Sequence, residues 1–203
     1  DGMPLSIIDA CKELLDYAAE YISFLKNSFP ARRTRSFDEM YEMIIINLTK
    51  GLGKEWAERY TSIAGWDPEI FSAPATAVDG RMLPHEWLRA PAGFIKTDSL
   101  HHHKDHFFPG CQDIAWDIAG LCTEFRLNEE ARGYFLDRYA SISGDRSIYK
   151  RLPYYNIAYP AFRLGYAVLC SEMLGPGDPE GQKFRVMANI YSSILQSEIC
   201  LYS

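Results

Sequence analysis

The chain has 203 residues, of which 47% are hydrophobic and 24% are charged, and its formal net charge is −6 at pH 7. This length can bury a hydrophobic core, and the acidic balance argues against a general nucleic-acid-binding protein, whose surface would be basic. No apolar run approaches the roughly 20 residues of a membrane-spanning helix. The five scattered cysteines form no C-x-x-C pair, which is typical of the reducing cytoplasm.

Three helices are predicted in the first third of the chain. Apolar residues recur at three- and four-residue steps from Ser6 to Phe29, and Pro30 ends this pattern. The sequence Ser36-Phe-Asp-Glu39 is a capping box that opens a second helix, for which Gly51 is the expected C-terminal cap. A third helix is expected over residues 54–63.

A β-hairpin is predicted in the middle of the chain. Prolines punctuate the segment from Gly65 to Ala92 and exclude long helices there. Two short runs, His85 to Arg89 and Phe94 to Thr97, flank the turn sequence Ala-Pro-Ala-Gly. A polar, histidine-rich loop follows from Asp98 to Pro109, and we favour a substrate-facing role for it over a structural metal site.

Four more helices are predicted after this loop. The first covers residues 113–125, and Asn128 caps the second. The third is long and tyrosine-rich, from about Pro153 to Leu174, with a kink at Pro160. The last begins at Asp178-Pro179 and ends near Leu201. Because no repeat or linker divides the sequence, we expect one mainly α (α+β) domain over residues 1–203.

Acidic and imidazole side chains are concentrated between residues 79 and 117. They are Asp79, His85, Glu86, Asp98, His101, His102, His103, Asp105, His106, Asp113 and Asp117. Such groups around a hairpin and the next helix are suitable for acid–base chemistry or for a divalent metal, although some could simply cap turns in a solvated loop. The H-E-x-x-H zinc pattern fails because Arg89 stands where the second His is needed, and the Gly-rich phosphate-binding motifs are absent.

The order of these residues follows a known pattern. Asp98 ends the run Phe-Ile-Lys-Thr-Asp, His85 precedes it by thirteen residues, and Asp79 precedes His85 by six. The sequences Asp113-Ile-Ala-Trp-Asp117-Ile-Ala and Tyr154-Tyr-Asn-Ile-Ala-Tyr-Pro-Ala-Phe-Arg-Leu-Gly follow downstream. The arrangement resembles the C-terminal lobe of the aminoglycoside-phosphotransferase family of kinase-like proteins. In that family a catalytic Asp is followed by a metal-binding Asn and then by a hairpin that ends in a metal-binding Asp. A D-x-x-x-D motif that opens a helix comes next.

The resemblance spans roughly Ser6 to Leu174 and is most specific from Phe94 to Ala119. It implies a helical kinase-like C-lobe with a small β-hairpin, and an N-terminal nucleotide-binding lobe that this chain does not contain and that would lie upstream in the same protein. It also implies a phosphotransferase that uses ATP and Mg²⁺ on a small hydroxylated acceptor.

The resemblance further implies roles for individual residues. Asp79 would be the catalytic residue, and Asp98 with His85 would hold Mg²⁺, although the family has Asn where this chain has His85. Asp117 would brace the catalytic loop by accepting backbone N–H bonds, and Asp113 would cap its helix. The candidates for binding the substrate are His101, His103, Asp105 and Arg163.

Three functions stay open at this point. The first is the ATP- and Mg²⁺-dependent phosphotransferase, whose partners are a small-molecule substrate and the upstream lobe, with no nucleic acid or membrane. The second is a non-catalytic kinase-like binding module, which His85 and the missing lobe favour. The third is an unrelated metal-dependent hydrolase that would bind Zn²⁺ or Mn²⁺ through His101 and His103.

Overall fold

A computed structural model describes residues 2–63, 65–66, 72–98 and 109–202 of the chain. Within these ranges the chain is mainly helical, with two small antiparallel sheets. The helices are α1 (Lys12–Ser28), α2 (Phe37–Leu52), α3 (Lys54–Ile63), α4 (Ala115–Glu124), α5 (Glu129–Ser143), α6 (Ile148–Leu174) and α7 (Pro179–Leu201). The strands are β1 (Met3–Pro4), β2 (Ala75–Thr76), β3 (Trp87–Ala90), β4 (Gly93–Lys96) and β5 (Gln112–Asp113). The mainly α fold class with a small hairpin is confirmed.

The chain divides into two compact units. One comprises residues 1–35 and 69–153, and the other comprises residues 36–68 and 154–203. The first unit contains every strand of the described residues together with α1, α4 and α5. The single domain expected over residues 1–203 stays a prediction.

The predicted hairpin is formed by β3 and β4 in the first unit. The strands are antiparallel, with Trp87 opposite Lys96 and Ala90 opposite Gly93, and β1 extends the sheet beside β3. β3 begins two residues later than predicted because Pro84–Glu86 forms a 3₁₀ turn with proline at its start, where the missing N–H costs nothing. A second antiparallel pair joins β2 to β5.

The hairpin is anchored to the helices of the first unit through Trp87, which is fully buried. Its ring meets the rings of Tyr17 and Tyr21 from α1 edge-on, at centroid separations of 6.0 and 5.8 Å. Phe125, just after α4, contacts it at 6.3 Å. Aromatic pairs in this geometry stabilise a fold by about 0.5–1.5 kcal/mol beyond the area they bury. The hairpin is therefore held against α1 by its first strand residue.

In the second unit, α2 and α6 interlock through two glycines. A methyl group added at Gly51 would lie 2.5 Å from a terminal carbon of Leu164, and one added at Gly165 would clash with the side chain of Asn47. A side chain of the other helix therefore packs directly against each glycine, Leu164 against Gly51 and Asn47 against Gly165. Asn47 and Gly51 are four residues apart, so they lie on the same face of α2. A surface ion pair between Lys50 and Glu172, with a 2.7 Å separation, joins the same helices.

Three helix starts agree with the predicted capping residues. Ser36 and Glu39 form the reciprocal capping box at α2. The Asn128 side chain accepts the Ala131 N–H at 2.9 Å at the start of α5. The Asp178 carboxylate accepts the N–H groups of the first turn of α7. These caps satisfy backbone donors that have no partner within the helix.

Three helix boundaries differ from the prediction. α1 begins only at Lys12, because Ile7–Asp9 forms a separate 3₁₀ turn capped by Ser6 and Asp9. α2 continues through Gly51 and ends before Gly53, which has the positive φ of 98° that was expected of Gly51. α6 begins five residues before Pro153, because the Arg151 side chain anchors its first turns despite the missing N–H of the proline.

None of the described helices combines the length and the apolar character that crossing a bilayer requires.

Candidate functional site

The centre of the candidate site is the turn at Asp79 and Gly80, which the carboxylate of Asp117 holds in place. Asp117 lies in the first turn of α4, and one of its oxygens accepts the N–H of Asp79 while the other accepts the N–H of Gly80, both at 2.8 Å. Gly80 has a φ of 85°, a conformation that favours glycine. The backbone that carries the Asp79 side chain is therefore fixed to α4.

The electrostatics of Asp117 are set by its complete burial. Removal from water is the largest effect and raises the pKa, and the nearby charge of Asp79 raises it further. The two backbone N–H bonds and the charge of Lys96 act in the opposite direction but do not outweigh burial, so the pKa rises to about 8. At neutral pH the Asp117 carboxyl is therefore protonated in a substantial fraction of the molecules.

The carboxylate of Asp79 is fully buried and surrounded by donors. The hydroxyl of Tyr21 in α1 donates to its Oδ2 at 2.7 Å, and the N–H of Arg81 makes a weaker contact with its Oδ1 at 3.3 Å. The ammonium of Lys96 lies 3.0 Å from Oδ2. Asp79 is therefore both neutralised and oriented by residues of the same unit.

Lys96, the last residue of β4, links two carboxylates in the interior. Its side chain has no exposed surface, and its Nζ lies 3.1 Å from Oε2 of Glu86, itself 6% exposed. The Nζ also donates to the Thr97 carbonyl at 2.9 Å. The two carboxylates therefore share one ammonium at the open end of the hairpin.

A second charged cluster fixes the start of α4. Arg151 donates to both oxygens of Asp113, with Nε–Oδ2 and Nη2–Oδ1 distances of 2.6 and 3.2 Å, in the bidentate geometry that favours arginine. Its Nη2 also lies 2.7 Å from Oδ2 of Asp145, and its Nη1 donates to Ser147. Asp113 Oδ1 accepts the Ala115 N–H at 3.0 Å. Asp113 therefore holds the first residue of α4 and the first turns of α6.

This cluster shifts the pKa of Asp145. Burial, the largest single influence, would raise it, but hydrogen bonds from Arg151 and Ser147 and the positive charge of Arg151 outweigh burial. The pKa falls to about 2. Burial is also the largest single influence on the pKa of Arg151 and would lower it, but the hydrogen bonds and charges of Asp145 and Asp113 outweigh burial and raise it. At neutral pH Arg151 and Asp145 therefore form an ion pair that is held by hydrogen bonds.

The two residues expected to bind Mg²⁺ are both on the surface. His85 is exposed in the 3₁₀ turn before β3, and Asp98 is exposed two residues after the end of β4. Asp98 has a φ of 55°, a left-handed conformation that aspartate tolerates better than most residues. Among the residues that the structure describes, no three His, Cys, Asp or Glu side chains are grouped so that they could hold a metal ion. Mg²⁺ prefers several oxygen ligands at about 2.0–2.1 Å, and the metal-binding role of Asp98 and His85 stays a prediction.

The residues expected to bind the substrate are divided. His101, His103 and Asp105 lie outside the described residues. Arg163 lies in α6 within the second unit, is 5% exposed and donates from Nε to the Tyr191 hydroxyl at 3.0 Å. Its guanidinium also lies over the rings of Tyr166 and Tyr191. The substrate-binding role of Arg163 stays a prediction.

Sequence reasoning named no role for Lys96, Tyr21 or Arg151. Lys96 had a usable signal, since strand alternation places it on the same side of β4 as Phe94 and opposite to the exposed Ile95. Tyr21 and Arg151 had none, because they are 58 and 38 positions from their carboxylate partners. Such pairs form only when the chain folds.

The comparisons with known proteins concern the fold. No protein-family model and no curated protein matches the chain. The solved structures that it resembles include LicA in complex with AMP, with 14% identity and a TM-score of 0.68 over 100% of this chain and 67% of that one. An ethanolamine kinase from Plasmodium vivax matches with 12% identity and a TM-score of 0.63, over 98% of this chain and 64% of that one. The choline kinase LicA from Streptococcus pneumoniae matches with 16% identity and a TM-score of 0.59, over 97% and 68%.

These similarities show a kinase-like fold that corresponds to about two thirds of the length of each kinase. The mainly helical architecture with small antiparallel sheets is consistent with the C-lobe of that fold. At these identities the likeness carries the fold alone, because one fold can support many functions.

Proposed function

We propose that the chain is the helical lobe of a nucleotide-dependent phosphotransferase, related to the aminoglycoside-phosphotransferase branch, that acts on the hydroxyl of a small acceptor. The observation that carries this proposal is the fixed turn at Asp79. The carboxylate of Asp117 accepts the N–H groups of Asp79 and Gly80, both at 2.8 Å. Phosphoryl transfer depends mainly on positioning and charge neutralisation, and a carboxylate on a fixed turn is suited to orienting a hydroxyl.

The similar solved structures support the choice of reaction. They include proteins named as choline and ethanolamine kinases, and one is a complex with AMP. ATP as the donor and a small amino alcohol as the acceptor are therefore the first substrates to test. Because the chain spans about two thirds of the length of these kinases, the proposal includes an upstream nucleotide-binding lobe of the same protein. The proposed location is the cytoplasm.

In the proposed reaction Asp79 orients the acceptor and takes its proton. The acceptor oxygen forms a bond to the terminal phosphorus of the nucleotide, the bond from that phosphorus to the leaving diphosphate breaks, and the hydroxyl proton passes to Asp79. The Tyr21 hydroxyl already donates to Oδ2 of Asp79 at 2.7 Å. The acceptor hydroxyl would replace it at this oxygen.

The Mg²⁺ ion that the family resemblance implies would be held by Asp98 and His85. Since both are exposed and no group of three potential ligands occurs among the described residues, we derive no step through the metal. Asp113 and Asp117 support the site through the backbone that they hold.

The test is ATP turnover by the full-length protein in the presence of choline, ethanolamine and other small alcohols. We expect Asp79→Asn to lower kcat by about 10²–10⁴-fold, the usual contribution of a general base. Asp38→Asn, which changes an exposed aspartate in the first turn of α2, is the matched control and should leave kcat unchanged. Equal turnover in the two variants would overturn the assignment of Asp79.

A second candidate, the non-catalytic binding module, is favoured by one observation. The Asp79 carboxylate is fully buried and already contacts Lys96 and Tyr21. This candidate predicts that a nucleotide or small ligand stabilises the full-length protein without any turnover. It also predicts that Asp79→Asn leaves the affinity for that ligand unchanged.

A further inference from the structure

The ammonium of Lys96 is surrounded by oxygen atoms in the way that a bound cation is. It lies 3.0 and 3.3 Å from the two oxygens of Asp79, 3.1 Å from Oε2 of Glu86 and 2.9 Å from the Thr97 carbonyl oxygen. A lysine ammonium has three N–H donors, and here there are three acceptor groups for them. The ammonium is thus fully hydrogen-bonded without water.

The position of the lysine in its strand explains how it reaches these oxygens. Lys96 pairs with Trp87 across the hairpin, and its Nζ lies 5.9 Å from the centre of the Trp87 ring. Glu86 immediately precedes Trp87, while Asp79 is held by Asp117. The hairpin register and the braced turn therefore bring both carboxylates to the same ammonium.

The distances match an ammonium and not a small divalent ion. Oxygens at 2.9–3.3 Å from the central atom are at ordinary hydrogen-bond separations. Mg²⁺ requires oxygens at about 2.0–2.1 Å in an octahedral arrangement. A second cation between the same carboxylates would also be repelled by the buried positive charge of Lys96.

We propose that Lys96 is the resident cation of the Asp79–Glu86 carboxylate pair, and that this pair binds no divalent metal while Lys96 is in place. Lys96 neutralises Asp79 and contacts both oxygens of its carboxylate. The proposal goes beyond the phosphotransferase reaction and is independent of it, since it concerns the cation that the protein itself supplies.

The test is a titration of the full-length protein with Mn²⁺, in which free Mn²⁺ is followed by electron paramagnetic resonance. We expect the wild type and Glu86→Gln to give superimposable titrations, because Glu86 is occupied by Lys96 in both the presence and the absence of metal. Any Mn²⁺ bound elsewhere in the protein contributes equally to both curves. A wild-type site whose affinity falls tenfold or more in Glu86→Gln would overturn the proposal.

Removing the ammonium provides the complementary measurement. We expect Lys96→Ala to gain one Mn²⁺ site that the double variant Lys96→Ala/Glu86→Gln lacks. A folded Lys96→Ala variant that gains no site would contradict the proposal, since the vacated carboxylates would then not form a cation site. If Lys96→Ala does not fold, the comparison of wild type with Glu86→Gln decides the question.

A salt comparison separates the cationic role of Lys96 from simple filling of space. We expect ammonium chloride to raise the melting temperature of Lys96→Ala more than tetramethylammonium chloride does at the same ionic strength, because only the small cation has N–H donors. The wild type is the control, because its response to each salt gives the general salt effect that is subtracted from the response of Lys96→Ala. Equal responses of Lys96→Ala to both salts would also overturn the proposal.

Discussion

The carboxylate of Asp117 accepts the backbone N–H of Asp79 at 2.8 Å, although the two residues are 38 positions apart. With the second bond to Gly80, this contact joins α4 to the turn that carries the candidate catalytic side chain. We expect Asp117→Ala to lower the free energy of unfolding by about 2–4 kcal/mol, because two buried N–H groups would lose their acceptor. Urea denaturation measures this change, and a loss below about 0.5 kcal/mol would contradict the brace.

The raised pKa of Asp117 predicts a pH dependence. Since the pKa is higher in the folded protein, at about 8, than the ordinary 3.8, the folded state binds the proton more tightly. The stability that this provides is complete below about pH 4 and is lost as the pH rises through about 8. The side chain introduced by Asp117→Asn does not titrate. We therefore expect the difference in the free energy of unfolding, wild type minus Asp117→Asn, to fall steadily from pH 4 to pH 8. A difference that stays flat or grows over this range would exclude the shift.

The hydrogen bond from Tyr21 to Asp79 is expected to stabilise the protein because it is made to a buried carboxylate. Tyr21→Phe should lower the free energy of unfolding by about 1.5–3 kcal/mol, the range for bonds to charged groups. The control is Tyr134→Phe, which removes a comparable bond to Asp16, a residue with 36% of its side chain exposed. There water replaces the lost partner, so the cost should be about 0.5 kcal/mol. Equal losses would show that burial of Asp79 does not matter.

The low pKa of Asp145 predicts a loss of stability in acid. Because its folded pKa of about 2 lies below the ordinary 3.8, its contribution is present above about pH 4 and is lost as the pH falls through about 2. We expect Asp145→Asn to cost about 1–2 kcal/mol at pH 7, allowing for solvent screening at the edge of the cluster. The cost should shrink toward zero near pH 2 when unfolding is followed by circular dichroism. A cost that is independent of pH would point to packing alone.

Gly165, at the contact of α2 and α6, and Gly133, in α5, give a matched pair of substitutions. Gly165→Ala places a methyl group against the Asn47 side chain and should destabilise the protein by about 1–3 kcal/mol. Gly133→Ala in α5 is also within a helix but meets nothing within 4 Å, so it should stabilise the protein by about 0.5–1 kcal/mol. Opposite signs in thermal unfolding would confirm the interlock, whereas a gain in both would contradict it.

Local chemistry was enough to predict much of the fold. Capping residues such as Ser36, Asn128 and Asp178 mark helix starts because their side chains bond to N–H groups two or three residues away. The end of α2 was predicted less well: Gly51 was expected to end the helix but lies inside it, and Leu164 occupies the space of its missing side chain.

The candidate site was also only partly predictable. The acidic positions stood out because of their spacing, yet their partners did not. A buried lysine is rare, so Lys96 in β4 would ordinarily be assigned to the surface. The pairing of Arg151 with Asp113 spans 38 residues and depends on where α6 meets α4 in the folded chain. Strand alternation indicates which face of β4 carries Lys96, but nothing in the neighbouring sequence identifies its carboxylate partners or those of Arg151.

The reciprocal fit of Gly51 with Leu164 and of Gly165 with Asn47 has a consequence for the divergence of this protein. Solvent-facing helix positions can change freely over evolutionary time, but a larger residue at either glycine would force the two helices apart. Distant homologues should therefore retain a glycine at both positions, or change the facing residue at the same time. This pair of coupled positions would identify a relative even where little other sequence identity survives.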